Sequence, residues 1–325
     1  KLGFLKINRS KTITKYRSTL LFNLMKILVT GGAGFIGKHL IKSLLEKDEN
    51  VTIFDNFSNS TKKSISSLIK LGVKLVEGDI RQPIDIQNAI KDQNIVIHLA
   101  AQISVSKSIK NPLETFEINV DGTRNVLNAC EKNGIKKLIV ASSAAVYGEG
   151  LPNLKLTEES VTDPISPYGE SKLKMEQMIK DLVSKHKINC VILRFFNVYG
   201  MGQSDEYAGV ITKFIEKITQ NKSLEIFGDG LQTRDFVSID DIVNSIQNAL
   251  SNNKNGIYNI GSGKATTIKE IAEMIISIAG KELDIKYSSP KKGDIRFSVG
   301  DISLAKKDLK YQPKFELKEK IKQLL

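Results

Sequence analysis

Three side chains capable of proton transfer lie in two short segments, Ser143 in Ser-Ser-Ala-Ala-Val-Tyr-Gly and Tyr168 with Lys172 in Tyr-Gly-Glu-Ser-Lys. A free phenol has a pKa near about 10, so it needs assistance to act as a base at neutral pH. Lys172 follows Tyr168 by four positions, which places both side chains on one face of a helix. A cation beside the phenolate would lower the phenol's pKa, and Ser143 would hydrogen-bond the reacting oxygen or relay its proton. The pattern predicts proton abstraction from an alcohol.

A tyrosine and a lysine one turn apart also occur on solvated helix faces, so a glycine-rich segment upstream decides the interpretation. An apolar run at 27–29 predicts a buried strand, and residues 34–47 have the apolar spacing of a helix. The strand is followed by Gly31, Gly32, Gly34 and Gly37, which would let the backbone approach a pyrophosphate at the helix N-terminus. The next predicted strand, 51–55, ends at Asp55, whose carboxylate would bind a ribose 2′-hydroxyl and repel a 2′-phosphate. The segment therefore predicts NAD as cofactor, in preference to NADP.

Strand and helix patterns alternate along the chain as far as about residue 193. Near-continuous apolar strands separated by helices are typical of a parallel sheet covered on both faces. We therefore predict an α/β protein, a Rossmann-type doubly wound parallel sheet with a smaller mixed α/β C-terminal substrate lobe. The NAD-binding domain is predicted at 25–195, and 196–325 form mainly the substrate lobe, with some return to the first domain. The predicted strands are 26–30, 51–55, 73–76, 94–99, 136–141 and 188–193.

Composition narrows the class of protein. The 325 residues are 26% charged and 41% hydrophobic, and no apolar run approaches the length that crosses a bilayer. The net charge of +12 does not indicate nucleic-acid binding, because residues 1–24 carry six Lys or Arg and no acid, leaving 12 − 6 = +6 for the rest. We expect 1–24 to be a basic leader, non-native or disordered. Cys130 and Cys190 lie in apolar segments without metal-ligand spacing, which predicts core thiols, no metal site and a cytoplasmic protein.

From Met25 to about Phe315 the chain resembles the extended short-chain dehydrogenase/reductases, and among them the NAD-dependent nucleotide-sugar epimerases typified by UDP-glucose 4-epimerase. The resemblance rests on the order of nine motifs, namely Thr-Gly-Gly-Ala-Gly-Phe-Ile-Gly, Asp55-Asn56, Gly78-Asp79-Ile80, His98-Leu-Ala-Ala-Gln, Asn119-Val-Asp-Gly-Thr, Ser142-Ser143-Ala-Ala-Val-Tyr-Gly, Ser166-Pro-Tyr-Gly-Glu-Ser-Lys172, Arg194-Phe-Phe-Asn-Val-Tyr-Gly and Arg234-Asp-Phe-Val. It implies a UDP-sugar substrate and a homodimer, while the charge distribution and the lack of a long apolar run predict no nucleic-acid or membrane partner.

The resemblance also assigns roles. Asp79 and Ile80 are expected to flank the adenine, and Lys172 to hold the nicotinamide ribose as well as tuning Tyr168. The complete set expected to bind NAD is Gly31, Gly34, Phe35, Ile36, Asp55, Asn56, Asp79, Ile80, Leu99, Ala100, Ala101, Asn119, Ser142, Tyr168, Lys172 and Phe196. Asn197 and Arg234 are expected to anchor the substrate diphosphate, although Arg234 could instead form a surface ion pair with Asp235 or Asp240. The complete set expected to bind substrate is Ser143, Tyr168, Asn197, Val210, Phe227, Arg234, Lys291, Asp294 and Ser298.

The two residues before Val-Tyr-Gly separate the branches of this family, and two further positions bear on the substrate. Nucleotide-sugar dehydratases carry Asp-Glu, and uronate decarboxylases usually a Glu, where this chain has Ala144-Ala145, so a 4-epimerase is favoured. Some 4-epimerases place a bulky Tyr where Ser298 stands, which predicts that N-acetylhexosamines are accepted here. Lys291 replaces the usual Arg and loses its bidentate geometry toward a phosphate.

Alternative functions remain open at this point. The chain could be a uronate epimerase, or a reductase, although Asp55 argues against the NADPH that a reductase would exchange. A non-catalytic NAD-binding module would be expected to have lost Ser143, Tyr168 or Lys172, and all three are present.

Overall fold

The computed structural model describes residues 25–185, 188–203, 209–290 and 293–325. The predicted leader and Lys291 lie outside these residues. The strands are β1 Lys26–Thr30, β2 Asn50–Asp55, β3 Lys74–Glu77, β4 Ile95–His98, β5 Lys137–Ser143, β6 Asn189–Phe195, β7 Asn197–Tyr199, β8 Leu224–Phe227, β9 Thr233–Arg234, β10 Phe236–Ser238, β11 Gly256–Ile260, β12 Thr266–Thr267, β13 Ile285–Ser288 and β14 Phe297–Ser298.

The helices follow the same order. They are α1 Phe35–Leu45, α2 Ser66–Lys70, α3 Pro83–Ile90, α4 Val105–Lys110, α5 Pro112–Phe116, α6 Gly122–Lys132, α7 Pro167–Lys185, α8 Val210–Thr219, α9 Ile239–Leu250, α10 Ile268–Ala279, α11 Ser303–Leu309 and α12 Leu317–Leu324. Short 3₁₀ turns occupy Lys62–Ile65 and Ala144–Val146, and a π turn at Glu117–Asp121 joins α5 to α6 without a break.

The main sheet has seven parallel strands in the order β11-β6-β5-β4-β1-β2-β3. Reversal of the strand order between β1 and β4 makes this a Rossmann-type sheet, as predicted, and ligands in such sheets bind beyond the carboxyl ends of the strands. The six predicted strands are all present, with ends that shift by at most two residues. The seventh, β11, lies in the range predicted for the substrate lobe and pairs with β6.

Both faces of the sheet are buried. Because side chains alternate along a strand, Ile27 and Val29 pack in one core cluster with α1 and α9, whereas Leu28 packs in another with α3, α6 and α7. A third cluster, formed by apolar residues of α8, α10 and β8, lies in the C-terminal half. Three small sheets accompany it, β7 with β10, β8 with β13, and β9 between β12 and β14.

Candidate active site

Ser143, Tyr168 and Lys172 come together at the carboxyl end of β5. Ser143 is the last residue of β5, and its hydroxyl accepts the main-chain N–H of Ala145 at 3.2 Å. Tyr168 lies in the first turn of α7, and its phenol hydrogen-bonds with the side chain of Ser143. The structure therefore places the predicted base beside the predicted relay group.

Lys172 lies one turn further along α7 and is 4% exposed. Its ammonium donates to the carbonyl oxygen of Ala141 at 2.9 Å, which ties α7 to β5 just before Ser143. Burial lowers the pKa of Lys172 to about 8, while the Glu176 carboxylate acts in the opposite direction. Burial raises the pKa of Tyr168, and the hydrogen bond from Ser143 opposes that rise. The net shift is opposite to the lowering expected from the sequence, because the effect of burial exceeds that of the hydrogen bond from Ser143.

The close packing of α7 on the 3₁₀ turn depends on a glycine that the sequence analysis did not single out. A side chain at Gly169 would place its Cβ 2.5 Å from the carbonyl oxygen of Ala145. Real Cβ atoms do not approach an oxygen so closely, so any larger residue would push Tyr168 away from Ser143. The available clue was the glycine directly after the tyrosine.

The glycine-rich turn fits a dinucleotide. Gly31 has φ +69°, and a Cβ there would lie 2.7 Å from the main-chain nitrogen of Ala100, so the turn after β1 touches the segment after β4. Helix α1 begins after Gly34 without a side-chain cap, which leaves its first N–H groups to bind an anion. Asp55, buried at the end of β2, accepts the N–H of Ala33 at 2.9 Å. Phe35 and Ile36 open α1 and pack against the core. These residues suit NAD.

The predicted adenine side is organised by Asp79. Its carboxylate accepts the side-chain amide of Asn56 at 3.0 Å and the guanidinium of Arg81 at 2.7 Å. Burial alone would raise the pKa of Asp79, but the hydrogen bonds from Arg81 and Asn56 outweigh it and lower the pKa to about 2. Ile80 is buried beside it.

The segment after β4, Leu99 to Ala101, is held by the neighbouring strand and by the π turn. The N–H of Leu99 donates to the carbonyl oxygen of Thr30 at 3.1 Å. Asn119, in the π turn, accepts the N–H of Gln102 at 2.8 Å and donates to Ser171 Oγ at 2.9 Å. Its buried amide therefore links this segment to α7.

The predicted substrate residues are organised around Asp235. The main-chain carbonyl of Asp235 accepts the N–H of Asn197 at 2.9 Å, and its own N–H donates to Ser298 at 2.9 Å. Its buried carboxylate accepts N–H groups of Ser262, Gly263 and Gly300. Sequence reasoning considered Asp235 only as a surface partner for Arg234, whereas in the structure its carboxylate joins two loops, one at 262–263 and one at Gly300.

Arg234 pairs with Asp294, with 2.6 Å between nitrogen and oxygen, and not with Asp235 or Asp240. Its side chain is largely buried, and burial lowers the pKa of Arg234 while the Asp294 carboxylate raises it. Phe196 is buried and stacks on Tyr147, with ring centroids 6.5 Å apart. Val210 begins α8 and Phe227 ends β8, two elements that share the third core cluster.

A separate surface cleft of about 520 Å³ contains none of the predicted site residues and is lined by Ala265, Thr266, Glu270, Glu273, Met274, Ser277 and Lys318. Within the described ranges, no helix combines the length and apolarity needed to span a bilayer.

Comparisons with known proteins agree with this geometry. The model of the NAD dependent epimerase/dehydratase family matches residues 27–261. A Methanocaldococcus jannaschii protein, provisionally named UDP-glucose 4-epimerase, is 42% identical over 303 residues, which cover 92% of this chain and 97% of that protein.

Two solved structures are similar over 92% of this chain and 96% of theirs, each with a TM-score of 0.87. One is the UDP-glucose 4-epimerase of Thermotoga maritima with UDP-glucose, 34% identical. The other is the UDP-N-acetylglucosamine 4-epimerase of Methanobrevibacter ruminantium M1 in complex with UDP-N-acetylmuramic acid, 35% identical. The chain therefore belongs to the NAD-dependent epimerase/dehydratase family.

Proposed function

We propose that this chain is an NAD-dependent UDP-sugar 4-epimerase that interconverts UDP-glucose and UDP-galactose, and also UDP-GlcNAc and UDP-GalNAc. The proposal rests on the proximity of Ser143, Tyr168 and Lys172 next to a turn, Ala144–Val146, whose first two residues are alanines and whose third is valine. Elimination of water needs a further acid and base near the sugar, and two methyl side chains supply neither.

The chain's own residues divide the proton chemistry. Tyr168, hydrogen-bonded to Ser143, accepts the proton of the sugar 4-hydroxyl and returns it when the opposite face of the 4-keto sugar is reduced. NAD⁺, when bound, supplies the acceptor for the C4 hydride. Lys172 holds the cofactor ribose and keeps a positive charge near the phenolate.

Binding of the substrate must be firm at the diphosphate and loose at the sugar, because the ring has to turn between the two hydride transfers. Asn197 and Arg234 bind the diphosphate in this proposal. Asn197 is held in place by the main chain of Asp235, and Arg234 by its ion pair with Asp294. A guanidinium matches the charge and geometry of a diphosphate. In this proposal residues 25–195 with β11 bind the cofactor, and most of 196–325 bind the UDP-sugar.

A homodimer and a cytoplasmic location are part of the proposal. Ile103, Ile109 and Leu113, in and around α4 and α5, are about half exposed or more, and burial against a second copy would remove this apolar surface from water. Light scattering of the purified chain, with Leu113→Glu as the variant expected to dissociate, tests the dimer.

Cys130 and Cys190 are buried free thiols, which suits a reducing compartment.

Proton NMR tests the activity directly. The purified protein is incubated separately with UDP-glucose, UDP-GlcNAc and UDP-glucuronic acid, and the anomeric signals are followed. Galacto epimers of the first two are expected. Tyr168→Phe keeps the ring and removes the hydroxyl, so it should retain NAD and lose at least about 100-fold in rate. Turnover of UDP-glucuronic acid alone would favour the uronate epimerase, and full activity of Tyr168→Phe would overturn the mechanism.

A further inference from the structure

A bidentate ion pair lies within the protein next to the proposed catalytic helix. Glu176 is 1% exposed and Arg194 is 2% exposed. Arg194 Nε donates to one carboxylate oxygen at 2.9 Å, and a terminal nitrogen of the same guanidinium donates to the other at 2.6 Å. The sequence analysis did not predict this pair.

The pair joins three elements that border the site. Glu176 is on α7, one turn after Lys172, and Arg194 is on β6, two residues before Phe196. From β5, the hydroxyl of Ser142 donates to the Glu176 carboxylate at 2.5 Å. A shift of this carboxylate would therefore move α7 relative to the strand that carries Ser143.

Arg194 is fixed from its other side as well. Its guanidinium donates to the hydroxyl of Tyr147 at 2.8 Å and lies over the ring, 4.7 Å from the centroid. The Tyr147 hydroxyl in turn donates to Asn259 at 2.6 Å. The carboxylate and the guanidinium thus have their hydrogen bonds satisfied without any ligand.

Such a pair has no evident value for stability alone. Desolvation of two charges is costly, and well-packed apolar residues in place of a buried ion pair are often neutral or stabilising. A role in the neighbouring chemistry gives a physical reason for charges at this position.

The charged surroundings of Lys172 show what that role is. On its own helix it has the phenol of Tyr168 on one side and the carboxylate of Glu176 on the other. From β4 it faces His98, which is neutral because burial and the Lys172 charge lower the His98 pKa to about 3. From β5 it meets an uncharged carbonyl, that of Ala141, and the guanidinium of Arg194 on β6 lies behind Glu176.

We propose that Glu176 and Arg194 are positioning residues for Lys172: the carboxylate keeps the buried ammonium charged, and the guanidinium fixes that carboxylate and limits its field. This inference rests on the proposed function, in which Lys172 acts as a cation. Burial already brings the pKa of Lys172 to about 8, so small changes in this field alter its charge near neutral pH.

The two partners then have opposite effects, which a merely structural role would not produce. Glu176→Gln removes the attraction and leaves the Arg194 cation unbalanced, so the pKa of Lys172 falls. Arg194→Gln leaves an unbalanced carboxylate, so the pKa of Lys172 rises. Both substitutions break the same buried pair and should destabilise the fold similarly.

The pH dependence of kcat/KM for UDP-glucose, measured on the full chain, tests the proposal. If activity requires a charged Lys172, kcat/KM falls as rising pH removes the Lys172 proton. This fall forms the alkaline limb of the pH profile. We expect that limb to move down by about one pH unit in Glu176→Gln and up by about one unit in Arg194→Gln. Glu176→Asp and Arg194→Lys keep their charges, so they should lower kcat and leave the limb in place. Limbs that move in the same direction, or that stay fixed in both Gln variants, would overturn the proposal.

A readout without turnover separates this inference from the proposed function. In protein labelled with ¹³C at the lysine ε position, the Lys172 signal is assigned by its absence from a Lys172→Arg variant and titrated with pH. The pH at its midpoint should fall in Glu176→Gln and rise in Arg194→Gln, even if no UDP-sugar is epimerised. If single variants do not fold, Glu176→Gln with Arg194→Gln removes both charges, and its midpoint should lie below that of the unchanged chain. An unmoved midpoint there would contradict the proposal.

Discussion

The carboxylate of Asp55 accepts the main-chain N–H of Ala33 at 2.9 Å, so the acid at the end of β2 also fixes the glycine-rich turn after β1. Its second oxygen accepts the N–H of Phe57 at 2.8 Å. Phe57 has φ +57°, a left-handed conformation that is unusual for a bulky residue. Asp55 thus fixes the main chain of the cofactor site even when no ribose is bound.

Asp55→Asn tests this clamp. An amide has one acceptor oxygen, so its NH₂ group would face a main-chain N–H and leave a buried donor unsatisfied. We expect a loss of about 1–3 kcal/mol in the free energy of unfolding and a roughly tenfold or larger loss of NAD⁺ affinity. Urea unfolding and calorimetric titration with NAD⁺ and NADP⁺ measure both. Asp48→Asn, at an exposed acid after α1, is the control, and equal effects of the two would contradict the clamp.

The lowered pKa of Asp79 predicts that the protein loses part of its free energy of unfolding in acid. Its pKa is lowered to about 2 from an ordinary value of 3.8, so its contribution is complete above about pH 4 and is lost as the pH falls toward 2. Asp79→Asn should flatten the dependence of the unfolding free energy on pH between about 4 and 2. Urea unfolding at several pH values measures the slope. Asp121→Asn, which breaks the exposed pair with Arg124, is the control expected to change it little.

The sheet could be predicted from sequence because its strands are buried on both faces and read as short apolar runs, as in β4. The pairing of Tyr168 with Lys172 was equally accessible, since helical spacing alone places them on one face. β11 was missed because it is a short strand whose pairing partner, β6, lies more than 60 residues away, so the neighbouring sequence does not indicate the pairing.

Buried polar groups were the harder part. Glu176 occupies a helix position that looks solvated in sequence, and only the packing of α7 on β6 brings Arg194 against it. Asp235 follows an arginine and reads as an ion-pair partner, whereas its carboxylate faces three main-chain N–H groups from loops distant in sequence. The direction of the Tyr168 pKa shift was wrong for the same reason, because the extent of burial is a tertiary property.

Arg234 should govern substrate affinity. Arg234→Met keeps much of the side-chain volume and removes the charge, so the KM for UDP-glucose should rise about tenfold or more with NAD binding unchanged. Arg296→Met is a matched control, because Arg296 also pairs with an aspartate, Asp229, but is about half exposed. Initial rates over a range of UDP-glucose concentrations measure the effect. A similar KM for both variants would show that Arg234 does not bind the diphosphate.

Ser298 should set the size limit of the sugar. It lies on β14 beside Arg234 on β9 and is buried, so any added volume must be taken from neighbouring space. Ser298→Tyr is expected to reduce turnover of UDP-GlcNAc at least about tenfold relative to UDP-glucose, because the ring would occupy space required by the N-acetyl group. Ser298→Ala leaves that space free, so its ratio of the two rates should stay close to that of the unchanged chain. Competition between the two sugars in one NMR tube gives the ratio directly. If Ser298→Tyr slows both sugars equally, the residue supports the loop that Asp235 holds and does not select the substrate.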